Sequence, residues 1–185
     1  MVNDAELVAR SQQGDMDAYD QLVGTYQHRI FSLAYRITGN REDAWDAAQE
    51  AFLKAYRNLY GFHGRAAFST WLHRIAVNAA LDVVRRRAAQ PPVPLDVTLR
   101  SLDDPADEVM RSDLQQRVHR AIAALPVEQR VAIVLRDLQG LRYEEIAGVL
   151  RIPVGTVRSR ISRGREMLRV MLADLAPASG EGRTA

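Results

Sequence analysis

Apolar residues recur at steps of three and four along almost the whole 185-residue chain, and a single stretch breaks the rhythm. That spacing gathers side chains on one face of a 3.6-residue helix. Tyr19, Leu22, Tyr26, Ile30, Leu33 and Ile37 form a first stripe. Trp45, Ala48, Phe52, Ala55, Tyr56 and Leu59 form a second, expected to face inward. Phe68, Leu72, Ile75, Ala79 and Val83 form a third. Beyond the break come Leu114, Val118, Ala121, Ile122 and Leu125, then Val127, Val131, Val134, Leu135 and Leu138. Strand alternation is absent, so the expected fold class is all-α.

Local chemistry punctuates these helices. Gly39 ends one, and Asn40 can cap the next, with Glu42 and Asp43 in its first turn. Ser69 or Thr70 is the expected cap of the third helix, which closes on Arg85-Arg86-Arg87. Pro126 can open a later helix that Gly140 terminates.

The break covers residues 88–112, with four prolines, five acids and no apolar face. It reads as a Pro-rich acidic linker. The expected organisation is a helical domain at 1–87, the linker at 88–112, a second small helical domain at 113–175, and a disordered polar tail at 176–185. A linker of this length extends to roughly 80 Å. Two turns of B-DNA span roughly 70 Å. Two modules could therefore sit on separate DNA segments, although a plain tether would look the same.

The formal net charge of +2 conceals alternating blocks: −5 over 1–53, +6 over 54–87, −3 over 88–112 and +4 over 113–185. Two basic blocks suggest two anion-binding surfaces, against the plainer reading of solubilising charge. Lys54 is the only lysine. Arginine's planar fork suits phosphates and guanine edges. The absence of Cys excludes disulfides, thiolate metal sites and a cysteine nucleophile. His28, His63, His73 and His119 are scattered, and no phosphate loop or nucleophile elbow occurs. No enzyme activity, metal or cofactor is expected. No apolar run approaches the roughly 18 residues of a membrane span. The start lacks a signal-peptide pattern, so a cytoplasmic protein without membrane contact is expected.

Three constellations carry possible function. The last two helices, broken at Arg151-Ile152-Pro153, have a helix-turn-helix pattern, with Ile146, Ala147 and Leu150 inward on the first and Val154, Val157, Ile161 and Leu168 inward on the second. Small Ala147 is the expected point of close crossing. Thr156, Arg158, Ser159, Arg160, Ser162, Arg163 and Arg165 stand between the apolar positions. A helix so equipped fits a major groove. The alternative is an exposed Arg-rich helix on an ordinary bundle.

The second constellation is a polar row, Arg74, Asn78, Asp82 and Arg85, approached by Tyr56, Tyr60, Phe62, Phe68 and Trp71. Aromatic faces beside cations suit single-stranded nucleic acid, where bases stack and phosphates pair. Most of these aromatics would be core on the simpler reading. The third is the acidic segment 42–50, where Asp43, Asp46, Gln49 and Glu50 can face a basic partner helix or merely solvent.

Together these segments resemble the extracytoplasmic-function (ECF) group of bacterial RNA polymerase sigma factors in the sigma-70 family. GNREDAWDAAQEAFLKAYRNL resembles the helix that binds core polymerase. FSTWLHRIAVNAALDVVRRR resembles the helix that meets the promoter −10 element. ALPVEQRVAIVLRDLQGLRYEEIAGVLRIPVGTVRSRISRGREMLR resembles the module that reads the −35 element. The resemblance implies that Asp43, Asp46, Gln49 and Glu50 dock on the β′ clamp helices of core RNA polymerase, with a second contact at the β flap. It implies −10 contacts from Phe62, His63, Arg65, Phe68, Trp71, Arg74, Asn78 and Arg85, on single-stranded promoter DNA. It implies −35 duplex contacts from Thr156, Arg158, Ser159, Arg160 and Arg163. An anti-sigma factor as partner and a part in stress response are implied too. Arg142 stands where the family has a Ser or Thr cap, and Trp45 where an acid is common. The rival reading is a stand-alone helix-turn-helix transcriptional regulator; a helical adaptor without a nucleic-acid role is a third.

Overall fold

The computed structural model describes residues 3–89 and 113–173. Apart from Ala88 and Ala89, the expected linker lies outside the described residues, as does the expected tail. All regular structure among the described residues is helical. The first domain comprises α1 (Asp4–Gln12), α2 (Met16–Thr38), α3 (Arg41–Asn58), a 3-10 turn (Leu59–Gly61) and α4 (Phe68–Ala88). The second comprises α5 (Asp113–Ala124), α6 (Val127–Ile133), a π turn (Val134–Leu138), α7 (Tyr143–Leu150) and α8 (Val154–Met171). The fold is two helical domains.

Asn40 caps α3 as its position predicts, its Oδ1 accepting from the Asp43 amide at 3.0 Å. Gly39 ends α2 in the left-handed region, at φ 73°. The expected cap of α4 does not form. That helix starts after Ala67, without a side-chain cap, and Ser69 and Thr70 lie inside its first turn. Burial of Phe68 brings the start forward.

The first core is a packing of α2, α3 and α4, with α1 laid on α2. Leu22, Ile30, Leu33 and Ile37 of α2 are fully buried. Each such side chain contributes roughly 1.5–3 kcal/mol. The expected inward face of α3 needs correction. Ala44, Ala47, Ala48, Ala51 and Ala55 are buried, whereas Trp45 is 43% exposed and Tyr56 is exposed too. Small side chains let the helices approach, so alanines take the contact and large residues turn outward. Trp45 instead lies over the Phe31 ring, 4.9 Å between centroids.

In the second domain α8 crosses α6 closely at Gly164, a contact separate from the α7–α8 crossing for which Ala147 is expected. Ala147 is only half-buried. A Cβ on Gly164 would stand 2.8 Å from Ile133 Cγ1. The two domains touch: α2 meets α5, α6 and the π turn, while α4 meets α7. Tyr35 stacks on His119 at 4.6 Å. The Arg130 guanidinium donates to the carbonyl of Ile37 at 2.7 Å, and to those of Ala123 and Leu125.

Two expectations follow from this packing. Gly164→Ala gains helix propensity of roughly 0.5–1 kcal/mol, but overpacking costs about 1–3 kcal/mol. Urea denaturation should therefore show a net loss of stability, and a stabilised variant would contradict the crossing. The second concerns pH. Burial, with Arg36 and Arg130 nearby, lowers the His119 pKa from 6.5 to about 4. His73 is shifted downward as well, chiefly by burial. The unfolded chain thus takes up protons first. Stability is full above about pH 6.5 and falls as pH drops toward 4, by up to about 3 kcal/mol from His119. His119→Phe should flatten the fall in urea midpoint between pH 7 and 5; an unchanged slope would contradict this assignment.

Candidate nucleic-acid interfaces

The helix-turn-helix is built by local backbone chemistry. Arg142 precedes α7 in extended conformation, and Glu145 supplies the cap: its carboxylate accepts from the Arg142 amide at 2.8 Å. That bond holds the Glu145 pKa below its usual value. Arg151 ends α7 in the left-handed region, at φ 55°, and Pro153 leads into α8. Val157, Ile161 and Gly164 bury one face of α8.

The opposite face is sorted by ion pairing. Arg158, Ser159, Ser162 and Arg163 are exposed, and Thr156 is half-buried. The Ser159 hydroxyl donates to the Thr156 carbonyl at 2.9 Å. Arg158 leans over the Tyr143 ring, 5.9 Å from its centroid, and Arg136 lies over the same ring at 4.9 Å. The remaining cations are held within the fold. Arg160 pairs with Glu128 of α6 at 2.9 Å, its side chain only 22% exposed. Arg165 makes a two-pronged contact with Asp137, and Arg169 pairs with Glu166. Arg160 is thus tied to the body of its own domain, unlike Arg158 and Arg163. Sequence spacing does not reveal this, because Glu128 and Asp137 come from distant turns of chain. Arg163 has no carboxylate partner among the described residues.

The second face belongs to α4. Asn78, Asp82 and Arg85 are exposed in one row, with Arg74 half-buried above them. Asp82 stands between two cations, 3.3 Å from Arg85 and 4.0 Å from Lys54, which offsets its repulsion of phosphate. Lys54 also reaches Glu50 at 3.3 Å. Ahead of α4, His63, Gly64, Arg65, Ala66 and Ala67 form an exposed loop. Gln12 of α1 pins the loop's base, its amide donating to the carbonyls of Leu59 (2.8 Å) and Phe62 (2.9 Å). Half-buried Phe62 and Trp71 sit 5.1 Å apart beneath the loop. Phe68 is buried against Tyr26 and Phe62, unlike the exposed loop residues that precede it. Tyr56 and Tyr60 are exposed, the latter by 70%, and so are not core.

The third face is the outer side of α3. Asp46 and Gln49 are exposed and Glu50 is half-buried. Asp43 is tied to Arg87 at the end of α4, which fastens the two helices. The apolar members of this face are Trp45 and Tyr56, which spacing assigns to the inward stripe, and Leu53, which it does not single out; all three are exposed. The alanine register of α3 is the signal that would have placed them outside. Among the described residues no cluster of His, Asp or Glu could hold a metal ion, and no helix is long and apolar enough to cross a membrane.

Comparison with known proteins converges with this geometry. Residues 22–90 match the model for Sigma-70 region 2, and residues 115–168 match that for Sigma-70, region 4. The RNA polymerase sigma-H factor of Pseudomonas aeruginosa is 44% identical over 184 residues, covering 93% of this chain and 95% of that protein. The ECF RNA polymerase sigma-E factor of Escherichia coli K12 is 44% identical over 179 residues, covering 90% and 93%. Among solved structures, CnrH in complex with the cytosolic domain of CnrY superposes with a TM-score of 0.70 at 27% identity, covering 94% of this chain and 99% of CnrH. With both sigma regions matched in order, and relatives this similar along nearly the full length, the chain belongs to the sigma-70 family, among its ECF RNA polymerase sigma factors.

Proposed function

We propose that the three faces divide the work of promoter-specific transcription initiation. Residues 1–87 serve core polymerase and the −10 element, 113–175 serve the −35 element, and 88–112 join them. The observation that carries this reading is the sorting of charge on α8: Arg160, Arg165 and Arg169 are internally paired, while Arg158 and Arg163 are left facing outward beside Ser159. Unpaired guanidiniums on one helix face can enter a major groove without first breaking an ion pair. Thr156 and Ser159 add short contacts. On α4, Asn78 reads a base edge, with Arg74 and Arg85 on phosphates and Phe62, His63, Arg65 and Trp71 around a base taken from the stack. On α3, Asp46 and Gln49, with Glu50 beside them, meet the basic β′ clamp helices, and Trp45 and Leu53 add apolar area. The chain performs no chemistry of its own and works in the cytoplasm. An anti-sigma factor restrains it, as the complex of CnrH with the cytosolic domain of CnrY suggests. The deciding experiment is runoff transcription: core polymerase plus this chain should yield promoter-dependent transcripts, and none on any candidate promoter would reject the reading.

Three variants sharpen it. Arg163→Ala should weaken −35 duplex binding by about 1–3 kcal/mol if a base is read. Arg160→Ala should weaken −35 duplex binding much less, since its guanidinium is held by Glu128. Equal DNA-binding losses for the two variants would contradict the sorting of charge. Asp46→Arg combined with Gln49→Arg should abolish co-purification with core polymerase and spare −35 duplex binding by the full chain. Retained co-purification would remove α3 from the polymerase contact.

A further inference from the structure

We propose that Gln12, at the end of α1, is a positioning residue for reading the −10 element: it sets the course of the loop that follows Phe62, and through it how well that loop tells one base from another. The inference rests on the −10 reading given above. Gln12 lies outside residues 22–90, the segment that matches Sigma-70 region 2. Its side-chain nitrogen donates to two carbonyls far along the chain, that of Leu59 at 2.8 Å and that of Phe62 at 2.9 Å. Both partners are carbonyl oxygens, so only the nitrogen end of the carboxamide fits between them, and both of its N–H groups are used.

The two carbonyls bracket the turn that leads into the loop. Leu59 opens the 3-10 turn and is buried, and its carbonyl also accepts from the Phe62 amide at 3.0 Å. Phe62 leaves the turn in extended conformation. Beyond it, no hydrogen bond or ion pair among the described residues reaches His63, Gly64, Arg65 or Ala66. A loop whose middle is unattached takes its course from its two roots. The far root is fixed by its own helix: Phe68 is buried, and the Ala67 carbonyl accepts from the Trp71 amide at 3.1 Å. The near root depends on Gln12.

Helix α1 is itself braced, so Gln12 is held where it is needed. Leu7 and Val8 are buried, and the Ser11 hydroxyl donates to the Leu7 carbonyl at 2.7 Å. Just after Gln12, one carboxylate oxygen of Asp15 caps α2 at the Ala18 amide, 3.0 Å away, while the other accepts from Arg10 at 2.9 Å. That fixes the turn between α1 and α2. At the start of α1, Asp4 accepts from the Tyr26 hydroxyl, and the Tyr26 ring meets Phe68 at 5.6 Å. Helix α1 therefore supports both roots of the loop, the near one directly through Gln12 and the far one through Tyr26. Groups that touch a ligand discriminate only as well as their supporting contacts hold them. Without the Gln12 donor the Phe62 carbonyl loses this tie, and the loop can take several courses.

Two variants of the full chain separate the hydrogen bonds from mere bulk. Gln12→Ala removes the donor; Gln12→Glu keeps the shape but turns an oxygen toward both carbonyls. Both should behave alike, and a Gln12→Glu chain indistinguishable from the unmutated one would overturn the proposal. In the free chain, trypsin should cut after Arg65 several-fold faster in both variants, while cutting after Arg74, inside α4, stays unchanged. Equal acceleration at the two sites would mean general loosening of the domain and would also overturn it. With core polymerase, each variant should bind a single-stranded −10 oligonucleotide about tenfold more weakly. Its preference among the bases at the loop should flatten, and −35 duplex binding should be untouched. An unaltered preference, or an equal loss on the −35 duplex, would remove Gln12 from −10 reading. If the unmutated chain with core polymerase binds no −10 strand at all, the −10 reading itself fails, and the purpose assigned to Gln12 fails with it; cleavage at Arg65 would still report whether Gln12 orders the loop.

Discussion

Close approach of helices at small side chains is the constraint from which the functional faces follow. On α3 the contact with its neighbours is made by Ala44, Ala47, Ala48, Ala51 and Ala55. Once alanines occupy the seam, the rotation of α3 is set. Trp45, Leu53 and Tyr56 must then stand outside, beside Asp46 and Gln49. Gly164 does the same for α8. Its bare Cα against Ile133 fixes which side of the helix is buried, and Arg158 and Arg163 are carried to the other. Dense packing makes these rotations discrete, because a helix turned by one residue would drive a larger side chain into the seam.

Charge then refines what packing has presented. Six arginines lie between residues 151 and 169, yet they are not equivalent. Those that fasten α8 to its own domain or to itself have carboxylate partners: Glu128, Asp137 and Glu166. Surface pairs of this kind are worth little individually. Their effect here is selective, since they leave Arg158 and Arg163 of α8 without a carboxylate partner among the described residues. The row on α4 works differently: Lys54 and Arg85 flank Asp82, so an acid can remain on the face without making it repulsive overall.

Much of this was legible in the sequence. Helical periodicity places the stripe of α2 and that of Val131, Val134 and Leu135, although Leu138 at its end is exposed, and Asn40 marks a helix start that the backbone uses. Both sigma regions are recognisable from the order of their motifs. What stayed hidden depends on contacts between distant residues. The inward stripe of α3 is right at Ala48, Ala55 and Leu59 and wrong at Trp45 and Tyr56, because hydrophobicity ranks Trp45 above Ala44, whereas the packing distance rewards the smaller side chain. Ser69 and Thr70 looked like caps, but burial of Phe68 moved the helix start ahead of them. Glu145 replaces the missing Ser or Thr cap at α7 by reaching back to the Arg142 amide. The engagement of Arg160 with Glu128 could not be read from spacing at all.

The junction between the domains follows the same logic one level up. An initiation factor that reads two separated DNA elements needs a long tether, and a long tether alone holds its ends together only weakly. Loop closure costs grow slowly with length, each doubling adding only about 0.6 kcal/mol. A few well-placed contacts are therefore enough to hold the two domains side by side. The seam combines polar contacts of Arg29, His73, Arg130 and Gln139 with the stacking of Tyr35 on His119, and the buried apolar residues of both domains form one continuous cluster.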